Sequence, residues 1–232
     1  MDRHRAPIPP VDAVDNAQRR ARLWTAAHSL GLALSDEVLA RLMDYLDLLQ
    51  RWNRVYNLSA LRNPDEMLSH HLIDCLAVLP ALHRHAAGRP LRILDVGSGG
   101  GLPGVVLAAA HPDWQVHCVD TVSKKSGFIR QVAADLRLSN LKSLHARVES
   151  LDPMDGRYGV ITSRAFASLS DFTTLSQRVL AEQGVWMAMK GKSTDDEQAK
   201  LPPSIQVFHV EQLQVPGLDA QRCLVWMRPA AA

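Results

Sequence analysis

Apolar residues recur at helical spacing along the first third of the chain and in short, uninterrupted runs along the rest. Val38, Leu39, Leu42, Met43, Tyr45, Leu46, Leu49 and Trp52 fall on one face of a helical period. Ser35 precedes them as an N-cap, and Asp36 and Glu37 occupy the first turn, where the helix dipole favours negative charge. A helix is predicted before it, over residues 17–30, ended by Gly31. A third helical stretch, carrying HHLIDCL, is predicted from Pro64 to about Leu82. Residues 16–88 thus read as a small helical region closed by AAGRP, and residues 1–15, with Pro7, Pro9 and Pro10, as a disordered arm.

Beyond residue 88 the pattern changes. LRILDV (91–96), QVHCVD (115–120), LKSLHARV (141–148), YGVITSRA (158–165) and GVWMAMKG (184–191) are aliphatic runs suited to a sheet buried on both faces. Helical stretches near 103–110, 123–136 and 169–180 separate several of them. This alternation predicts an α/β fold, a mostly parallel sheet with helices on both faces and right-handed crossovers. SIQVFHVEQLQV and RCLVWMRP flank PGLDAQ and read as a terminal antiparallel hairpin, bringing the sheet to seven strands within residues 89–232.

Composition narrows the possibilities. A chain of 232 residues, 47% hydrophobic and 22% charged, can bury a real core as a soluble globular protein. The net charge of +2 means that any basic footprint for nucleic acid must be local. Cys75, Cys118 and Cys223 lie far apart, with no pair at metal or redox spacing, and read as reduced, buried small hydrophobes. The amino terminus lacks the apolar core of a signal peptide, and no window approaches about 18 uninterrupted apolar residues. A cytoplasmic protein that does not span a membrane is expected. His70, His71 and Asp74 share one helical stretch without a further ligand cluster, so no metal is expected. Trp52, Asn53 and Asn57 are expected to join the helical region to the sheet, and Trp24, Trp114, Trp186 and Trp226 to lie in or near the core.

The candidate chemistry lies in LRILDVGSGGGLPG (91–104). Gly97, Gly99, Gly100, Gly101 and Gly104 follow Asp95 at the end of the first strand, where open α/β sheets bind ligands. Two ligand classes fit. Gly99, Gly101 and Gly104 satisfy G-x-G-x-x-G, a dinucleotide fingerprint that would suit an NAD-dependent oxidoreductase. The same stretch also reads D-x-G-x-G-x-G through Asp95, Gly97, Gly99 and Gly101, the form of S-adenosylmethionine sites, in which the acidic residue meets the cofactor's cationic part. Asp120, ending the second strand, stands close to the roughly 20-residue offset at which a carboxylate accepts ribose hydroxyls; an N-cap is its other reading. Val148 and Glu149, ending the third strand, suit an apolar contact to adenine and an acceptor for its amino group, or a solvated strand end.

DVGSGGGLPG, VDTVSKKSGFIRQVAADLRLSNL, ARVES, VITSRAFASL and MKG, with the earlier RWNRVYNLSA and HHLIDCL, together resemble the bacterial ribosomal RNA small-subunit methyltransferase G family, also called glucose-inhibited division protein B. The resemblance runs from about Leu39 to Met227. It implies a Rossmann-like class I methyltransferase that uses S-adenosylmethionine to methylate N7 of one guanine in the decoding-region loop of 16S ribosomal RNA. The implied partner is 16S ribosomal RNA, the small ribosomal subunit or its precursor, and the implied form is a monomer. Cofactor contacts are implied at Gly97, Leu102, Val148, Glu149 and Arg164, and the superfamily pattern adds Asp95, Gly99, Gly101 and Asp120. Gly159 departs from the acidic residue usual in the family's FDVI, outside the cofactor loop.

Guanine N7 has an in-plane lone pair and no proton to lose. Such a reaction needs no general base, and alignment of the reacting atoms is its main catalytic demand. Arg164 and Lys190, cations in otherwise apolar strands, are expected to position substrate, because burying them there without a partner is costly. Lys124, Arg130, Arg147 and Arg222 are expected to contact RNA, a solvated helix face being the other reading of Lys124 and Arg130 and Arg222 the weaker candidate. The alternatives are the NAD-dependent oxidoreductase and a non-catalytic RNA-binding assembly protein that keeps a vestigial cofactor fold.

Overall fold

A computed structural model describes residues 13–164, 166–191 and 194–230. Most of the arm expected over residues 1–15 lies outside them, but residues 13–15 already belong to the first helix. The helical region opens with α1 (Ala13–Ser29) and α2 (Asp36–Tyr56). The Ser35 hydroxyl accepts the Val38 N–H at 3.3 Å, as a helix cap should. Every apolar residue assigned to the buried face of α2 is buried except Trp52, which is half-buried. Trp24 is a correction: it is 53% exposed and stacks on His28. Leu23, Ala26 and Ala27 occupy the buried face of α1, and Trp24, about 100° further round, points to solvent. Trp114, Trp186 and Trp226 are buried as expected.

The stretch from Pro64 to Leu82 is not one helix. It comprises α3 (Pro64–Met67), a π-helical turn over Leu68–Ile73, α4 (Asp74–Leu76) and α5 (Leu79–Ala86). A π-turn adds a residue to the helical turn, re-aims side chains and leaves carbonyls available to outside donors.

The sheet contains β1 (Arg92–Val96), β2 (Gln115–Asp120), β3 (Leu141–His145), β4 (Tyr158–Ser163), β5 (Leu180–Lys190), β6 (Ile205–Leu213) and β7 (Arg222–Pro229), in the order β3-β2-β1-β4-β5-β7-β6. The first five strands are parallel; β7 pairs antiparallel with both β5 and β6. Between the strands run α6 (Gly104–Ala110), α7 (Ser123–Asp135), α8 (Leu169–Ser176) and α9 (Asp195–Gln198). Alternation along β1 divides the core: Ile93 joins the cluster holding α2, α6 and α7, while Leu94 and Val96 join the one holding Leu169 and Phe172 of α8. The first cluster is continuous from Leu42, Leu46 and Leu49 to Val105 and Ile129, so the helical region and the sheet share one core.

Several strand limits differ from expectation: β4 ends at Ser163 and not at residue 165, β1 starts one residue later at Arg92, and β6 is shorter at both ends. β3 ends at His145 because its partner β2 ends at Asp120, and Val148–Ser150 coils into a 3-10 turn. β5 starts at Leu180, which pairs with Tyr158 across a register shift, so the preceding helix stops at Ser176.

Candidate functional site: two cavities on one glycine loop

The carboxyl ends of β1 and β2 and the turns after β3 and β4 enclose a cleft of ≈ 350 Å³ lined by Val96, Gly97, Asp120, Val148, Glu149 and Phe166, among others. It sits where the strand order reverses about β1. The glycine loop is tied to β2 by its own backbone, the N–H groups of Gly97 and Ser98 donating to the Val119 carbonyl at 2.9 and 3.3 Å. Gly97 has a φ of +65°, and a Cβ there would lie 3.9 Å from the Phe166 ring. Any side chain would be strained and would point toward a cleft wall. Asp120 is held twice: Oδ2 accepts the Gly99 N–H at 3.0 Å and Oδ1 accepts the Val122 N–H at 2.8 Å. Each oxygen keeps a second acceptor position, so the carboxylate secures the entry to α7 and still offers an acceptor to the cleft. Val148 forms a buried apolar wall, and Glu149 lies at the rim, 3.5 Å from Arg147.

Across the loop is a second cavity of ≈ 220 Å³, whose lining includes Leu49, Ser59, His71, Gly99, Leu102 and Arg164. Gly97 and Lys125 line both cavities, so the loop backbone is their common wall. The far side comes from the helical region. Tyr45, buried in α2, donates its hydroxyl to the Gly100 carbonyl at 2.8 Å. Asn53 staples the chain after α2, donating to the Leu61 carbonyl and accepting the Ser59 N–H, both at 2.8 Å. That staple brings the Ser59 hydroxyl to 2.8 Å from His71 Nε2. Trp52 packs 5.4 Å from Phe128 of α7, and Asn57 ends α2 in a left-handed conformation, so this segment joins helices to sheet as its composition suggested.

Arg164 donates to the His70 carbonyl, in the π-turn, at 2.8 Å and lies 3.5 Å from Asp74 Oδ2. The other Asp74 oxygen accepts Arg222 Nε at 2.8 Å, and the Asp74 side chain is only 3% exposed. One buried carboxylate therefore holds two guanidiniums. Burial, reinforced by the Arg164 charge, pushes His71 down to about 4, so its ring is neutral near pH 7. Among the described residues no group of three or more His, Cys, Asp or Glu side chains is placed to hold a metal.

Several expected site residues sit elsewhere. Asp95 lines neither cavity. It is fully buried, and its Oδ2 accepts the Gly104 N–H at 2.9 Å. Alternation along β1 turns Val96 to the cleft and Asp95 to the opposite face, where its Oδ2 anchors the start of α6. Gly101 also lines neither cavity; a Cβ there would collide with Val105 and crowd Ile129, so its bareness serves packing. Lys190 is committed to Glu197 at 2.7 Å and reaches the Phe166 carbonyl at 3.4 Å, bracing the cleft wall without facing either cavity. Arg222 is occupied by Asp74. Arg130 is exposed on α7 away from both linings, whereas Arg147 is exposed at the cleft rim. Lys124 lies 5.4 Å over the Tyr56 ring. The sequence reading passed over Lys125, Phe166, Ser59 and Tyr45; Lys125 differs from the nominated Lys124 only by helix phase.

Burial raises Asp95 from its ordinary 3.8 to about 7, against the lowering effects of the Gly104 N–H and Arg164. A carboxyl whose folded pKa lies above its unfolded one binds more protons folded than unfolded between those values. Its contribution to stability therefore falls as pH rises from about 4 to about 7 and is level above. Asp95→Asn keeps an acceptor for Gly104 and removes the titration. Urea midpoints at pH 5 and pH 8 should differ less in Asp95→Asn than in the unaltered chain; equal differences would assign the slope to other groups.

The GidB family, described as rRNA small subunit methyltransferase G, matches residues 38–225. A protein of that name from Acidovorax sp. (strain JS42) is 54% identical over 229 residues, covering 95% of this chain and 100% of the relative. Another, from Leptothrix cholodnii, is 59% identical over 210 residues, covering 90% of this chain and 95% of the relative. Among solved structures, the magnesium protoporphyrin IX methyltransferase ChlM of Synechocystis PCC 6803, with bound SAM, superposes with a TM-score of 0.56 at 17% identity, over 84% of this chain and 98% of that one. TrmN from Thermus thermophilus gives 0.54 at 21% identity, over 70% of this chain and 53% of that one. These structural likenesses concern the fold: a Rossmann-like methyltransferase sheet with a terminal hairpin.

Proposed function

Because the chain belongs to the GidB family of rRNA small subunit methyltransferase G, we propose that it transfers a methyl group from S-adenosylmethionine to N7 of one guanine in the decoding-region loop of 16S ribosomal RNA. The observation that carries this reading is the pair of cavities sharing Gly97 and Lys125. The larger cleft fits the cofactor's nucleoside: Asp120 offers acceptors for ribose hydroxyls, Val148 an apolar wall for adenine, and Glu149 an acceptor for its amino group. Bound there, the cofactor supplies a methyl group activated by a sulfonium. The backbone of Gly97 and Gly99 lets it approach the common wall, and Leu102 closes the apolar side of the second cavity.

The second cavity receives the guanine. Arg164, oriented by Asp74 and the His70 carbonyl, offers donors to an acceptor edge, and neutral His71 and Ser59 add polar groups without charge repulsion against a ring that becomes cationic. Proton removal has no part in the step, because guanine N7 attacks with a lone pair and carries no proton to lose. Arg147 and Lys125, which line the cleft, and the neighbouring Lys124 would meet phosphates. Residues 16–88 serve the methyltransferase domain of 89–232 as the outer wall of the substrate cavity. The dinucleotide alternative is weakened at two of its own glycines: side chains at Gly101 and Gly104 would collide with Val105 and Cys118, so those positions answer to packing.

The test is two-fold. Calorimetry should show binding of S-adenosylhomocysteine and no response to NAD. Methyl transfer to naked 16S RNA and to small subunits, mapped by nucleotide, should place one N7 mark in the decoding-region loop and lose it in Gly97→Asp. NAD binding alone, or transfer to no ribosomal substrate, would overturn the proposal.

A further inference from the structure

Tyr56, the last residue of α2, keeps 41% of its surface exposed. Its ring is braced from beneath: Trp52 lies 5.2 Å away, and Trp52 in turn lies 5.4 Å from buried Phe128. This ladder of three rings runs from the core to the surface and fixes the exposed one at low conformational cost. The chain leads from this ring directly into the second cavity: Leu58 and Ser59, two and three residues on, line it, as does Lys125, the neighbour of Lys124.

Positive charge lies against the ring and close along the chain. The Lys124 ammonium lies 5.4 Å from its centroid, and Arg62 is bonded to the Ser59 carbonyl and to Oδ1 of Asn57, the residue that follows Tyr56. Among the described residues, no carboxylate pairs with Arg62 or Lys124. Exposed rings edged with unpaired cations are how proteins hold unpaired nucleotides, by stacking on a base face and neutralising adjoining phosphates.

We infer that Tyr56 is a stacking platform for a single-stranded nucleotide flanking the base that enters the second cavity, with Lys124 and Arg62 on the neighbouring phosphates. This deepens the proposed function and rests on its identification of RNA as the substrate. The Lys124 ammonium now covers a ring face; on binding it gives up a cation–π contact for a phosphate, and a base takes the face.

Tyr56→Ala, Tyr56→Phe and Lys124→Ala test it, with thermal midpoints confirming that each variant folds. For Tyr56→Ala, the KM for 16S substrate should rise about 5- to 150-fold, the span of losing one stacked base worth about 1–3 kcal/mol. The kcat and the affinity for S-adenosylhomocysteine should stay unchanged, and Tyr56→Phe should match the unaltered enzyme. Lys124→Ala should weaken binding of a synthetic decoding-region hairpin and make its salt dependence shallower by about one ion. A Tyr56→Ala enzyme with unchanged KM and unchanged hairpin affinity overturns the inference while leaving methylation intact. Were the unaltered enzyme inactive on every ribosomal substrate, the functional reading would fail instead, and hairpin affinity would still decide for or against Tyr56.

Discussion

Replacing Asp74 by alanine is expected to lower the unfolding free energy by about 3–5 kcal/mol, the typical cost of removing one partner from a buried ion pair. The carboxylate is 3% exposed and lies between Arg164 and Arg222, whose side chains are 23% and 22% exposed. Without it, the guanidiniums after β4 and at the start of β7 lose the carboxylate that they share. The His70 carbonyl and Gln221 carbonyl would remain as neutral acceptors, too weak to replace a shared anion. Asp74→Asn should fall between the two, since it keeps an acceptor but no charge. Urea unfolding at constant pH reads the difference directly; a loss under about 1 kcal/mol would mean that the two arginines find water instead, which is the ordinary fate of a surface pair.

Asp120→Ala should weaken S-adenosylhomocysteine about 100-fold or more while costing less stability than Asp74→Ala. Two hydrogen bonds from a ligand to a charged acceptor are worth about 1.5–3 kcal/mol each, and about 3 kcal/mol already corresponds to a factor above 100. The substitution also frees the Gly99 and Val122 N–H groups, so the loop loses a tether as well as an acceptor. Asp120→Asn keeps one acceptor oxygen and should lose much less. Calorimetric affinities within threefold of one another for all three proteins would remove Asp120 from the cofactor's contacts.

Much of the architecture was legible because local pattern and global fold agree. QVHCVD became β2 and RCLVWMRP became β7 without adjustment, and Ser35 caps the helix its neighbours announced. The errors arise where a distant partner decides. LKSLHARV continues to alternate past His145, but the strand beside it has ended, so pairing stops. Nothing in HHLIDCL marks the extra residue of a π-turn, because the apolar positions still satisfy a helical period.

The site divided along the same line. Gly97, Gly99, Leu102, Asp120, Val148, Glu149 and Arg164 do line one or other cavity or bond to its wall. Asp95 and Gly101 match the same motif and turn inward, since a motif records residue types and not which face of a strand each one takes. Lys190 was reasonably suspected as a costly buried cation, but its partner proved to be Glu197, seven residues along. Tyr45 read as core and is core; its hydroxyl bond to Gly100, across 55 residues of sequence, could not be seen from its neighbours.

That bond, taken with Asp120, has a kinetic consequence. Gly99 is gripped from β2 and Gly100 from α2, while Gly97 and Ser98 are fastened to the Val119 carbonyl. Ordering a free backbone costs about 1–2 kcal/mol per residue, and a loop already held in place loses none of that on encounter. A ligand meeting such a wall needs no closing step before it is bound, so arrival rates should vary little among related nucleosides. Discrimination between them then rests on residence time, on how long each stays once it has arrived.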